Sequence, residues 1–376
     1  MRAAEDREDR RWMRQALRLA ARGEGWTRPN PPVGALIVKR GGVVGKGWHR
    51  QAGGPHAEVF ALEQAGDAAR GATLYVTLEP CSTWGRTPPC TSALIRAGIR
   101  RVVAGAADPN PAHARRGFVA LQNAGVDVQS GILETDCQAL IAPFRTHILT
   151  GRPYVTLKLA LTLDGRIADR TGRSRWITGE SARKWVQRLR RRADAVLVGA
   201  GTVCADNPSL LPTGSNPNPV YRVIVDGTGR VPPAARVVSD SRAGQTIMVT
   251  TRSCPASVAR AWQRHGARVW RLPAENRELN LTELLARLGG MGVMHVACEG
   301  GGHLAAGLVR AGVVDDYALF YAPRLFGGAA VPGLGGSGWL LAGAPRLRIE
   351  SVRRFGEDIL VRAVPHSHGE GACSPG

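Results

Sequence analysis

Short apolar runs alternate with helix-period segments along nearly the whole chain, and the alternation breaks once, at Thr150-Gly151-Arg152-Pro153, before it restarts. Apolar strands interleaved with amphipathic helices bury their surface together only as layered sheets, so the pattern predicts an α/β fold. Glycine followed closely by proline ends the last helical pattern, which predicts a domain boundary there. Two domains, 1–150 and 151–365, suit a chain of 376 residues. In the first, helices are predicted at Arg10–Ala21, Ala57–Ala65, Cys90–Ala97, Ala114–Asn123 and from Glu134. Strands are predicted at Val33–Lys39, Val43–Trp48, Thr73–Leu78, Arg101–Ala104 and Val126–Gln129, the first two joined as a hairpin at Gly41-Gly42. The second domain opens on an apolar strand, Tyr154–Leu161, which should end near Ala160, and alternates to about Val364. The proline-rich Pro208–Pro219 reads as a surface excursion, and 366–376, HSHGEGACSPG, as a disordered tail.

Composition narrows the function. Seven scattered cysteines are not a disulfide framework; they fit a reducing cytoplasm, where grouped cysteines bind metal. The formal charge of +20 invites a nucleic-acid reading. However, the basic residues are spread out apart from RLRRR at 188–192, and no aromatic-interleaved platform accompanies them. Small phosphorylated ligands account for the charge better. No apolar run reaches the length of a membrane span, and the charged, amphipathic N-terminal stretch reads as a surface helix rather than a secretory signal.

The densest chemistry lies between His56 and Cys90. Catalytic zinc takes three protein ligands and keeps a position open for water. His56, Cys81 and Cys90 supply one nitrogen and two thiolates, each at the end of a predicted element. Glu58, two residues after the histidine, reaches a metal-activated water without being a ligand. His-x-Glu followed by Pro-Cys and a further Cys is the arrangement of zinc nucleobase deaminases, with the glutamate as general acid/base. Here the cysteines are separated by STWGRTPP rather than by two residues, and that loop should line the substrate pocket.

Three stretches carry chemistry in the second domain. LKLALTLDGRIA at 157–168 precedes SRWITG at 174–179, a strand whose following loop delivers Ser174 and Trp176. The helix Glu180–Arg192 leads to DAVLVGAGTVCADNPSL at 194–210. HVACEGGGHLAAGLVRAG at 295–312 is a strand, a glutamate, three glycines and a helix, the best phosphate cradle in the chain. Gly199-Ala200-Gly201 does not complete a dinucleotide fingerprint: Cys204 stands where a glycine or alanine should, and no acid follows at the usual distance.

PNPPVGALIV at 29–38, GWHRQAGGPHAEV at 47–59, TLEPCSTWGRTPPC at 77–90 and GAADPNP at 105–111 resemble the bifunctional riboflavin-pathway deaminase/reductases, and the resemblance continues through the second domain. It implies a cytidine-deaminase-like three-layer domain followed by a dihydrofolate-reductase-like α/β domain. The first would use Zn2+ to deaminate a diaminopyrimidine ribosyl phosphate; the second would use NADPH to reduce its ribose to ribityl. Asn30, His49 and Arg86 would contact the deaminase substrate. Ala160, Trp176, Thr202, Asp206, Gly301 and Gly302 would meet NADPH, and Lys158, Ser174, Arg190, Leu210 and Glu299 the sugar-phosphate substrate. A cytoplasmic homo-oligomer, dimer or tetramer, is implied as well, with no nucleic-acid or membrane partner. Five positions depart from the family pattern: Phe60, Thr83 and Trp84 where histidine or an aromatic is common, Thr213 for arginine and Gly227 for serine. They leave open a related enzyme acting on another pyrimidine phosphate; an RNA-editing deaminase is disfavoured by the whole second domain.

Overall fold

The computed structural model describes residues 2–84, 88–214, 218–275 and 278–366. The chain divides into two compact units, Met1–Gly151 and Arg152–Gly376.

The first unit contains α1 (Arg2–Ala20), β1 (Gly34–Lys39), β2 (Gly42–Trp48), α2 (Ala57–Ala65), β3 (Thr73–Leu78), α3 (Cys90–Arg96), β4 (Arg101–Ala106), α4 (Arg116–Asn123), β5 (Asp127–Ser130), α5 (Glu134–Leu140) and α6 (Ala142–Thr150). The strands form one sheet in the order β2-β1-β3-β4-β5. The β1–β2 hairpin and the β1–β3 pair are antiparallel, whereas β3, β4 and β5 run parallel. Side chains alternate across the sheet, which makes three layers. Ile37, Leu74, Val76 and Val102 pack with Ala57, Ala61, Leu94 and Phe118 of the helices on one face. Leu36, Tyr75 and Val103 pack with Trp12, Met13 and Cys137 on the other. Gly45 and Gly47 on β2 permit close approach: a Cβ would lie 2.1 Å from the Ala61 carbonyl oxygen at the first and 2.2 Å from the Ala57 carbonyl oxygen at the second. The first turn of α2 is thus seated directly on the sheet. Several expected boundaries move by a residue or more. α1 begins earlier than Arg10, and α4 begins at Arg116 because Arg115 takes the left-handed conformation, φ 62°.

The second unit contains β6 (Tyr154–Thr162), β7 (Arg166–Ala168), α7 (Glu180–Arg192), β8 (Ala195–Gly199), α8 (Ala200–Asp206), β9 (Tyr221–Val225), α9 (Arg236–Ser239), β10 (Thr246–Thr250), α10 (Ala256–Arg264), β11 (Arg268–Arg271), β12 (Ala274–Glu275), β13 (Glu278–Leu279), α11 (Leu281–Gly290), β14 (His295–Cys298), α12 (Gly302–Arg310), β15 (Asp316–Ala322), β16 (Val331–Pro332), β17 (Leu347–Phe355) and β18 (Asp358–Pro365). Its main sheet has nine strands in the order β11-β10-β9-β8-β14-β6-β15-β18-β17. All neighbours from β11 to β15 are parallel, and β18 and β17 add antiparallel at one edge. Parallel strands are buried on both faces, which explains their continuous apolar runs. Val155, Leu157, Leu197 and Val296 pack into one core, and Val196, Val198, Ile224 and Met248 into the opposite one. β6 runs to Thr162, so Ala160 lies within the strand rather than at its end: the ladder to β15 continues through Thr162 opposite Ala322. Because β8, β14 and β6 are parallel neighbours, their C-terminal ends gather at one edge of the sheet, where ligands of open α/β sheets bind.

Among the described residues, no helix is long and apolar enough to cross a membrane. The tail beyond His366 lies outside the described residues.

Candidate active sites

In the first unit the central strand β3 ends at Leu78, and Glu79-Pro80-Cys81 turns the chain away from the sheet. His56 caps α2 in extended conformation, and Cys90 is the first residue of α3. The three element ends converge. His56 Nδ1 lies 3.2 Å from Cys90 Sγ and 3.6 Å from Cys81 Sγ, and all three ligand atoms fall within 4.8 Å of one another. A tetrahedral zinc ion with Zn–S of about 2.3 Å and Zn–N of about 2.0–2.1 Å sets its ligand atoms roughly 3.6 Å apart. The cluster fits that ion in both donor type and spacing. The Cys90 backbone N–H donates to Cys81 Sγ at 3.3 Å, which favours a thiolate there. The bond from the Cys90 thiol, above all, draws the Cys81 thiol down to about 4, while the bond to Cys81 and burial push Cys90 up. Metal binding takes both cysteines as thiolates, so a divalent cation suits two adjacent sulfurs and an imidazole nitrogen. Glu58, 3% exposed in the first turn of α2, has its pKa raised by burial.

A cavity of about 380 Å³ opens beside the cluster, lined by Asn30, His56, Cys81 and Thr83 among others. His49 does not line it. It is 2% exposed, its Nδ1 lies 3.1 Å from the Pro55 carbonyl and its Nε2 3.1 Å from Asn30 Nδ2. With Nδ1 donating to Pro55, Nε2 accepts from the Asn30 amide, so His49 orients Asn30 and stacks edge-on against His56. Arg86 lies outside the described residues. Trp84 is 78% exposed, and Phe60 lies under the Arg50 guanidinium at 4.2 Å.

Four further polar residues line this cavity: Glu79, Ser82, Asp108 and His113. Glu79 is buried, and its carboxylate accepts the backbone N–H groups of Asp108, Arg115 and Gly117 at 3.0, 2.9 and 2.8 Å. A charged residue closing an otherwise apolar strand was the available signal for Glu79. Asp108 stood in the GAADPNP stretch at 105–111, but His113 has no signal, because only the fold brings the loop after β4 to the end of β3.

In the second unit a cavity of about 1560 Å³ lies at the C-terminal edge of β6, β8 and β14. Lys158, Ala160, Ser174, Trp176, Arg190 and Thr202 line it, as do Asp206, Leu210, Glu299, Gly301 and Gly302. Every residue expected there from the sequence is therefore brought together. Arg190 of α7 meets Glu299 after β14 in a bidentate pair, Nε to Oε1 at 2.7 Å and Nη2 to Oε2 at 2.8 Å. Burial raises the Glu299 carboxyl, but the Arg190 charge outweighs it and leaves the pKa below the ordinary value. Lys158 is pulled down by burial and partly restored by Glu299. The Ser174 hydroxyl donates to Asp206 at 3.0 Å, and the Arg175 guanidinium bonds the Asp206 carbonyl. Trp176 is 61% exposed, with the Arg183 guanidinium 4.7 Å from its ring. At Gly302, the first residue of α12, a Cβ would lie 2.5 Å from the Pro332 carbonyl oxygen, so only glycine fits. Leu210 has a buried side chain in the core and a left-handed backbone, φ 63°, so it offers the cavity backbone rather than side chain. Gly227 lines the cavity; Thr213 does not, its N–H donating to Gln187 and its carbonyl accepting from Arg191.

Known proteins match this arrangement along the whole chain. Residues 6–106 match the cytidine and deoxycytidylate deaminase zinc-binding region, and residues 153–361 the RibD C-terminal domain. The riboflavin biosynthesis protein RibD of Aquifex aeolicus is 42% identical over 94% of this chain and 97% of its own length. That of Escherichia coli is 41% identical over 95% and 99%. Among solved structures, Acinetobacter baumannii RibD superposes with a TM-score of 0.83 at 37% identity, over 96% of this chain and all of the other. The Thermotoga maritima diaminohydroxyphosphoribosylaminopyrimidine deaminase/5-amino-6-(5-phosphoribosylamino)uracil reductase superposes with a TM-score of 0.81 at 34% identity, over the same shares of the two chains. The chain belongs to the RibD family of riboflavin-biosynthesis proteins and carries that family's zinc-dependent deaminase domain and NADPH-dependent reductase domain.

Proposed function

We propose that the two units catalyse consecutive steps on one phosphorylated pyrimidine. The first hydrolyses the 2-amino group from 2,5-diamino-6-(5-phosphoribosylamino)pyrimidin-4-one; the second reduces the ribosyl side chain of the product to ribityl. The observation that carries the reading is the His56–Cys81–Cys90 cluster with buried Glu58 beside it, in a chain whose other unit has a cavity large enough for a dinucleotide and a sugar phosphate.

In the first step His56, Cys81 and Cys90 would hold zinc, which when bound supplies the Lewis acidity that makes water nucleophilic near neutral pH. Glu58 would take a proton from the attacking water, whose oxygen adds to the amine-bearing ring carbon, and pass protons on to the exocyclic amine, so that the C–N bond breaks, ammonia leaves and a ring carbonyl remains. Burial raises its pKa above the ordinary glutamate value, which favours proton uptake from water. With its amide N–H committed to His49, Asn30 presents its carbonyl oxygen to the amino edge of the ring.

In the second step NADPH, when bound, would supply the hydride for C1 of the sugar opened as an imine, with a proton added at the imine nitrogen to complete the amine. The backbone at Gly301 and Gly302 lets the cofactor's phosphates approach the start of α12; Trp176, Thr202, Asp206 and Ala160 complete its site. Lys158, Ser174, Arg190, Glu299 and the backbone of Leu210 contact the sugar phosphate. Arg190 holds both Glu299 oxygens in place, leaving their remaining lone pairs for sugar hydroxyls. The reading includes a cytoplasmic homo-oligomer, a dimer or tetramer. The edge strand β17 exposes Ile349 and Val352, a surface suited to a second copy.

The test is ammonia release from the diaminopyrimidine by zinc-loaded protein, followed by addition of NADPH. Ammonia first and NADPH oxidation second is the expected order. No ammonia from protein with one zinc bound would sink the substrate assignment.

A further inference from the structure

We infer that His113 is a substrate-contacting residue of the deaminase pocket, its Nδ1 donating to the phosphate of the ribosyl-phosphate substrate. The inference rests on the deaminase reading above. His113 Nδ1 is buried and has no hydrogen-bond partner. Among the described residues it is the only such side-chain nitrogen that also lines one of the two cavities. Buried polar atoms are almost always satisfied, so an unpartnered one on a residue that lines a pocket invites a ligand atom.

Charge argues for the phosphate. His56, Cys81 and Asn30 line the part of the pocket beside the metal cluster, where the amine-bearing ring must sit. No lysine or arginine lines the described part of this pocket, and His113 is its only side chain outside the metal cluster that can carry positive charge. The phosphate of the substrate needs such a donor.

The loop that carries His113 is built to hold it still. The Glu79 carboxylate pins the backbone at Asp108, Arg115 and Gly117, on both sides of the histidine. Within the loop the His113 N–H donates to the Asn110 carbonyl at 2.8 Å, and Asn110 Oδ1 accepts from the Ala112 N–H at 3.0 Å. A side chain on so fixed a loop binds without first being ordered.

The experiment compares wild type, His113→Ala and His113→Asn on the phosphorylated diaminopyrimidine and on the same compound without its 5′-phosphate. Zinc content, NADPH oxidation with the deaminated intermediate and thermal stability serve as fold controls. The expected result is a KM for the phosphorylated substrate raised about 10- to 100-fold in His113→Ala, with kcat within about threefold, as for a lost hydrogen bond to a charged group. His113→Asn, whose amide nitrogen reaches the Nδ1 position, recovers most of the loss. On the dephosphorylated compound the three proteins behave alike. An unchanged KM in His113→Ala, or equal losses on both substrates, overturns the inference while leaving the deaminase reading intact. Wild-type protein that releases no ammonia overturns both.

Discussion

Replacing Glu299 with glutamine removes the only negative charge from a buried group of three ionisable side chains. Arg190 reaches the two carboxylate oxygens at 2.7 and 2.8 Å, and Lys158 lies half-buried beside them. Glutamine keeps one acceptor, so the shape persists while two cations lose their counter-charge. Breaking a buried pair by neutralising one partner costs roughly 3–5 kcal/mol. The Arg190 side chain retains 15% exposure and one hydrogen bond, which places the expected loss near the lower bound, about 3 kcal/mol. At roughly 2–4 °C per kcal/mol for a domain of this size, the calorimetric transition of the reductase unit falls by about 6–12 °C. Added salt should barely change the figure, since the pair is shielded from solvent.

The same variant has a signed pH dependence. Burial already holds the Lys158 pKa below its ordinary value, and Glu299 partly restores it. Without the carboxylate the ammonium is disfavoured further, so its proton leaves at lower pH. The alkaline limb of reductase kcat/KM therefore moves to lower pH. A lysine whose folded pKa is depressed binds protons more tightly when unfolded, so stability rises with pH between the folded and unfolded values. The Lys158 share of the deficit is thus largest near neutral pH and fades as the ordinary lysine pKa is approached. A variant within about 0.5 kcal/mol of wild type, with an unmoved alkaline limb, would refute the buried-triad account.

In the deaminase, Glu58→Gln should retain one zinc per chain by elemental analysis and lose about 10²- to 10⁴-fold in ammonia release, with NADPH oxidation on the deaminated intermediate unchanged. A parallel loss in both assays would contradict two separate sites. Cys81→Ser, or prolonged chelation, should lower zinc content and abolish deamination; zinc held at full stoichiometry by Cys81→Ser would remove that sulfur from the ligand set. Gly302→Ala puts a Cβ 2.5 Å from the Pro332 carbonyl, so the start of α12 must shift. Calorimetric titration should find NADPH bound at least tenfold more weakly and the unit destabilised by about 1–3 kcal/mol; normal NADPH affinity would place the cofactor's phosphates elsewhere.

Much of the molecule was legible from local signals. The alternation of strand and helix patterns, the break at Gly151 and Pro153, and the Gly-Gly hairpin depend on backbone preferences that act over a few residues. The zinc cluster was legible for a related reason: only certain residue types bind zinc, and His56, Cys81 and Cys90 all stand at element ends, which a sheet topology can bring together. Other features depend on which residue ends up opposite which, and no local pattern carries that. The Arg190–Glu299 pair spans 109 positions and exists because α7 passes the end of β14. His49 looked like a pocket residue, yet close packing buries it behind Asn30 and uses both its nitrogens. Leu210 lines its cavity with backbone because its side chain is drawn into the core. His113 gained its place from the loop that Glu79 pins after β4. The sequence by itself determined the elements, the two domains and the metal chemistry, because propensity and ligand type are properties of residues. Tertiary structure alone decided orientation, burial and the pairing of charges, because these are properties of contacts between residues far apart in the chain.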